Sequence, residues 1–349
     1  MDGEDQAALA DVARRFARTP EFASSPLYTS LAQTVARTPA LLQLAARGRP
    51  GQYPTILFFG AVHALLLAGA DHELARFYRS LVGVAALPPE GAGAALVDFC
   101  ATFAPALTTL IETRLVQTNV VKRALALRFG LAAIGRRVAA PVHLIEVGAS
   151  AGILLRHERY GYRLGDRRFG DPQSPVQIDS EWRGSAPIPD LDALPVLASV
   201  TGVDLHPLDA RDHDDRRWLE ALVWPENRHE AALLHQALAV VAADPPAMRA
   251  GDAIDVCPAL AADLPPGEPR VVFHAITRLH VPAARLGAFD AALAALGENA
   301  PLYRLSLEGQ GELDLRNPSG TSTHLTRAGG RIEWLAPLGD CSATIRSRG

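Results

Sequence analysis

Lysine is all but missing from this chain: of 34 basic residues, only Lys122 is not arginine. The net charge of −4 provides no basic excess of the kind that nucleic acid or another polyanion recruits. In so alanine-rich a sequence, the arginine bias reads as base composition rather than function. Cysteine is scarce as well. Cys100, Cys257 and Cys341 are far apart with no C-x-x-C spacing, which suits free thiols in a reducing cytoplasm rather than a disulfide framework. Near the N-terminus Asp2, Glu4 and Asp5 stand where a secretory signal needs positive charge. No apolar run reaches the roughly 18 residues of a membrane span. Ile56 to Ala70 comes nearest, but it holds His63 and leads into Asp71-His72-Glu73, so it predicts a buried core helix. Metal-ligand spacing is missing too. His206, Asp209, Asp212, His213, Asp214 and Asp215 surround Pro207 without a fixed period, and read as a solvated acidic loop rather than a metal site.

What is present is enough apolar sequence for a large core: 349 residues, 48% hydrophobic and 21% charged. That length predicts two domains. From Asp5 to about Arg137 apolar residues recur at helical spacing, with breaks at Ser24-Ser25-Pro26, Gly48-Arg49-Pro50-Gly51 and Leu87-Pro88-Pro89-Glu90-Gly91. Here Gln117-Thr118-Asn119 lies in a polar stretch. It reads either as a helix start capped by Thr118 or Asn119, or as a motif reaching a ligand. No convincing strand precedes residue 140.

Beyond that point the style changes. His143 to Val147 forms an apolar run interrupted by Glu146, followed by Gly148-Ala149-Ser150-Ala151-Gly152 and a segment that reads as helix. Arg163 to Phe169 predicts a hairpin, Val176 to Asp179 a strand, and Pro187, Pro189 and Pro195 an irregular excursion. Strands are then predicted at Ala198–Val203, Met248–Ala250, Arg270–His274 and Pro301–Glu308, with helices between them. His324–Arg327 and Arg331–Leu335 flank Ala328-Gly329-Gly330 and predict a terminal antiparallel hairpin. The expected architecture is therefore α/β. A helical N-terminal cap (1–139) precedes a Rossmann-like, mostly parallel, doubly wound domain (140–349), with an insertion at about 162–197.

The glycine turn is compatible with two chemistries. Gly148-Ala149-Ser150-Ala151-Gly152 spells G-x-S-x-G, the nucleophile elbow of α/β-hydrolases. That elbow, however, belongs in mid-sheet, whereas Ser150 would follow the first strand. Asp252 with His274 or His280 could serve as its acid and base. Glu146-x-Gly148-x-x-x-Gly152 also resembles the first motif of S-adenosylmethionine-dependent methyltransferases, and this reading uses more of the chain. Glu146, Gly148, Ala149, Ser150 and Gly152 would hold the methionine part. Asp204, or alternatively Asp209, would take the ribose, and Asp252 with Ala253 the adenine edge. His274 would be a base or orienting group, with Gln117, Asn119 and Glu308 as contacts to a small-molecule acceptor. Blander roles accompany each assignment: close packing for the glycines, helix capping for Asp252, core packing for His274. The 52 positions from Gly152 to Asp204 exceed the usual ~20, and the insertion accounts for the excess.

More specifically, Glu146–Gly152 with Arg159-Tyr160-Gly161-Tyr162, Gly170-Asp171-Pro172, Glu181-Trp182-Arg183-Gly184, Asp204-Leu205-His206-Pro207-Leu208-Asp209, Leu222-Val223-Trp224-Pro225-Glu226, Gly251-Asp252-Ala253 and Val272-Phe273-His274 resembles domain-of-unknown-function family 2332. The resemblance spans nearly the whole chain. It implies that the long insertion is ordinary for such proteins, and it brings no established activity. Two places depart from the pattern. Val120 follows Gln-Thr-Asn where an acidic residue is expected, and Thr277-Arg278-Leu279-His280 replaces a more apolar, tyrosine-containing stretch. The functional expectation is methyl transfer from S-adenosylmethionine to a small molecule. Its rivals are metabolite or partner binding without turnover on the same fold, and serine hydrolysis at Ser150.

Overall fold

The structure, a computed structural model, describes residues 3–183, 188–308, 312–316, 322–327, 331–334 and 345–348. Helices α1 (Gly3–Ala17), α2 (Pro26–Arg37), α3 (Pro39–Ala45), α4 (Pro54–Leu67), α5 (Arg79–Val82), α6 (Ala92–Thr102), α7 (Ala104–Thr113) and α8 (Arg123–Gly135) occupy the chain before the first strand. Then follow β1 (Val142–Val147), β2 (Gly161–Leu164), β3 (Arg167–Gly170), β4 (Gln177–Ser180), β5 (Trp182–Arg183), β6 (Leu197–Asp204), α9 (His213–Ala221) and α10 (Arg228–Ala243). The remainder is β7 (Ala247–Ala250), α11 (Ala253–Asp263), β8 (Arg270–Ala275), α12 (Leu286–Ala295), β9 (Leu302–Glu308), β10 (Glu312–Arg316), β11 (Ser322–Arg327), β12 (Arg331–Trp334) and β13 (Ile345–Arg348).

Two compact units result: Met1–Asn119 with Asp212–His235, and Val120–Arg211 with Gln236–Gly349. The first division falls after Asn119, and a later segment, Asp212–His235, joins the helical unit. Prolines in the helical unit start helices rather than merely break them. Pro26, Pro39 and Pro54 each open one, where a missing N–H costs nothing. Ser25 caps α2 by accepting from Tyr28 N. The apolar α4 is a buried core helix, as expected. Its His63 lies against Ala221 O at 3.0 Å and Ser80 Oγ at 2.8 Å, and burial lowers its pKa to about 4. No single helix among the described residues is long and apolar enough to cross a membrane.

The second unit carries a seven-stranded sheet in the order β11-β10-β9-β8-β1-β6-β7. The five strands from β9 to β7 are parallel. All of β1 and all of β8 are buried, which explains their continuous apolar character. Ile145, Val147, Val203 and Val272 face Leu260 of α11 and Phe289 and Leu293 of α12. On α8, Gly130 leaves room for Leu305 of β9, since a Cβ there would sit 2.5 Å from that side chain. The insertion forms its own sheet, β3-β2-β4. One expectation is corrected: β11 and β12 make no hairpin. β11 pairs with β10, which pairs with β9, whereas β12 pairs with β13 and β5. The sheet's antiparallel edge is thus a meander. A turn signature marks where the chain reverses but not which edge each arm joins. Residues 328–330 of that turn, and Cys341, lie outside the described residues.

Candidate functional site

Parallel register puts the carboxyl ends of five strands level. Arg249, Val203, Val147, His274 and Ser306 form one row across the sheet. The chain winds outward from β1 through β6 to β7, then returns beside β1 as β8 and continues to β9. The switch point therefore falls between β1 and β8, where open α/β sheets form their ligand crevice. Just past the row lie Gly148–Gly152, Asp204, Asp252, the turn 276–280 and Glu308.

Glu146 sits beside this switch. It is 3% exposed, and its Oε2 has no hydrogen-bond partner. Burial pushes its pKa well up and the charge of Asp204 adds to the shift, against a pull from Arg123. Arg123, at the first position of α8, answers both Glu146 and Glu308 electrostatically but forms no direct ion pair with either among the described residues.

The glycine turn is held from two sides. Asp204 accepts from Ser150 N and from His206 N, both at 2.8 Å, and Ser150 O accepts from Leu208 N at 3.1 Å. Asp204 therefore shapes the turn as well as ending β6. Gly148 and Gly152 have φ of 78° and 74°. A Cβ on Gly148 would stand 2.3 Å from Thr277 Oγ1, and one on Gly152 2.5 Å from Pro246 Cγ. Protein atoms thus already account for both glycines. Ala149 is buried and packs where Gly202 lacks a Cβ, which would fall 2.9 Å from it. The segment after Gly152 is not the expected α-helix. Leu154–Arg159 is a short 3-10 stretch with non-helical dihedrals at Arg156, so the turn does not lead directly into an α-helix.

Among the described residues, two other than glycine have positive φ, Ser150 at 52° and Ile276 at 54°. They end adjacent strands on either side of the switch point. The β-branched Ile276 is strained there by about 1–2 kcal/mol, and such strain gathers where surrounding contacts dictate the backbone. Thr277 Oγ1 donates to Val147 O at 3.1 Å, tying this turn to β1.

His274 is fully buried. Arg304 Nε donates to its Nε2 at 3.1 Å, so its proton resides on Nδ1 and is donated to Glu308 Oε1 at 2.7 Å. Burial lowers its pKa more than Glu308 raises it. With both nitrogens engaged and no solvent contact, it is no direct base. It braces Glu308, and it cannot serve Ser150. Asp252 caps α11, accepting from Ile254 N at 2.9 Å, and pairs with Arg285 at 2.8 Å. Ala253 begins that helix. Asp209 is tied to Arg211 at 2.8 Å. Gln117 and Asn119 belong to the helical unit. Asn119 Nδ2 donates to Gln117 O at 2.9 Å, and α8 starts only at Arg123, so neither Thr118 nor Asn119 caps it. No group of three or more His, Cys, Asp or Glu among the described residues could hold a metal ion.

Sequence reasoning gave Arg123 no role, marked Thr277 and His280 as part of an atypical stretch, and otherwise offered His280 only to the hydrolase. His280 is exposed and its pKa is lowered by desolvation, with Glu308 and Arg123 as charged neighbours. The polar stretch before α8 and the departure at 277–280 were the available signals.

An α/β unit with a five-stranded parallel sheet flanked by helices, and polar side chains gathered past its switch point, is the class of protein that fold and site define. Residues 10–343 match the family described as "Uncharacterized protein conserved in bacteria (DUF2332)", and the chain belongs to it. No curated protein and no solved structure matches it.

Proposed function

We propose that the second unit binds S-adenosylmethionine at its switch point and acts as a methyltransferase on a small molecule. The observation that carries this reading is Glu146: a buried carboxyl with an unpartnered oxygen, at the end of the central strand. Such a group is destabilising unless something completes it, and a ligand ammonium is the natural complement. Arg123, without a direct ion pair, suits a ligand carboxylate, so the two residues fit an amino-acid zwitterion. Asp204, held in place by Ser150 N and His206 N, would stand beside the ribose hydroxyls, and the loop at Asp252-Ala253 would border the base. When bound, the sulfonium supplies an electrophilic methyl group. The chain's part is to orient both partners and exclude water. His280, neutral at pH 7 through its lowered pKa, can accept a proton from an acceptor that carries one. Because His274 is sealed off, binding without turnover is the second reading.

Thermal unfolding with S-adenosylmethionine or S-adenosylhomocysteine tests this. A ligand at 100 times its Kd adds about 2.7 kcal/mol, which is several degrees in Tm. Glu146→Gln should cut that response at least tenfold in apparent affinity. No shift with either ligand on the wild type would end the proposal.

A further inference from the structure

The far side of the same crevice is built around one carboxylate. Glu308 Oε1 accepts from His274 Nδ1 at 2.7 Å, Thr277 N at 3.0 Å and Arg278 N at 3.1 Å. Its Oε2 accepts nothing from the protein among the described residues, and the side chain is 17% exposed. Three donors on one oxygen leave the other free to meet a ligand while fixing its direction. Burial pushes this carboxyl's pKa up, but the His274 bond and the Arg278 and Thr277 amides outweigh it and hold the group below the usual range. It is therefore ionised at neutral pH.

The arrangement is over-determined. The left-handed backbone of Ile276 turns the chain so that two successive N–H groups reach one oxygen, and Ile276 N is pinned to Leu307 O at 2.8 Å. Behind Glu308, His274 is oriented by Arg304, whose Nη2 is held by Asp290 at 3.0 Å. Asp290 also pairs with Arg278 at 2.5 Å. A chain of charged hydrogen bonds thus runs from α12 to Glu308 Oε1 and fixes the direction in which Oε2 points.

We propose that Glu308 is the anchoring carboxylate for a cationic nitrogen group, ammonium or guanidinium, so that the second ligand of this crevice is an amine or a guanidine. The surrounding charge agrees. Glu146 and Glu308 share the field of one Arg123, and a carboxylate or phosphate ligand brought to Glu308 would meet a like charge. The proposal rests on the two-ligand reading of the crevice, with Glu146 serving one ligand and Glu308 the other.

The test uses full-length protein and saturation-transfer NMR with primary amines and guanidines, each matched to a neutral isostere: arginine with citrulline, ethanolamine with ethylene glycol. Each pair is measured with and without S-adenosylhomocysteine, on wild type and on Glu308→Gln. Cationic members should bind the wild type at least tenfold more tightly than their isosteres, and Glu308→Gln should remove that preference. Equal binding within pairs, no binding of any cation, or a preference that survives Glu308→Gln each overturns the assignment. If Glu308→Gln fails to fold, the pairwise preference of the wild type decides by itself. Failure to respond to S-adenosylhomocysteine alone, with amine preference intact, strikes the methyl-transfer reading and leaves Glu308 standing as a cation site.

Discussion

At the scale of single residues, Glu146 sets a pH dependence whose sign is fixed. Its ordinary pKa is near 4.5, and in the folded protein it lies well above that. Between those values the folded state holds a proton that the unfolded chain has lost, so stability falls as pH rises through the interval. Glu146→Gln removes the titration. Urea unfolding should therefore show the variant more stable than wild type at pH 8, by on the order of 1–3 kcal/mol, with the gap closing toward pH 4.5. A gap independent of pH would mean that the carboxyl is not the titrating group. Glu146 was legible in the sequence because a carboxylate inside an apolar run is conspicuous. Arg123 was not, because nothing local distinguishes it from the other arginines. Only the packing of α8 brings it near the strand ends.

At the scale of elements, the turn after β1 and the turn after β8 are one object. Gly148 lacks a Cβ because Thr277 occupies its place, and Thr277 in turn bonds β1 at Val147 O. Gly148→Ala should cost about 1–2 kcal/mol for its positive φ and more for displacing Thr277. In a Thr277→Ala background the second part should vanish, giving a coupling of roughly 0.5–3 kcal/mol in a double-mutant cycle of denaturant unfolding. Additive costs would show that the two turns are independent. The parallel strands themselves were readable, since β1 and β8 are apolar runs bounded by turn residues, and so was the hairpin of β2 and β3. The segment after Gly152 was not: Leu154 and Leu155 look helical by composition, but burial of Arg156 and His157 draws the backbone off the helical path. The partner of β11 was equally hidden, because pairing between strands is decided by the sheet and not by either strand's residues.

At the scale of the whole molecule, the helical unit is closed by residues that follow β6. Ser25 Oγ donates to Glu226 Oε2 at 2.6 Å, and Leu27 N to Glu226 Oε1 at 3.0 Å. Phe22 meets Trp224 edge-on with centroids 5.1 Å apart, and Trp218 is 1% exposed. A fragment of residues 140–349 should accordingly be insoluble or sticky to hydrophobic dyes, since it carries Trp218, Leu219 and Trp224 without their partners and also lacks α8. A soluble, cooperatively unfolding fragment would contradict the assignment of Asp212–His235 to the helical unit. The same return of the chain has a consequence in time. Glu226 leaves the ribosome 201 residues after Ser25, and at 5–20 residues per second that is a delay of roughly 10–40 s. Throughout it the first helices are made but cannot close their aromatic core. The helices before β1 in this unit are thus made long before residues 212–235 complete it, a stretch during which a chaperone that shields aromatic surface has work to do.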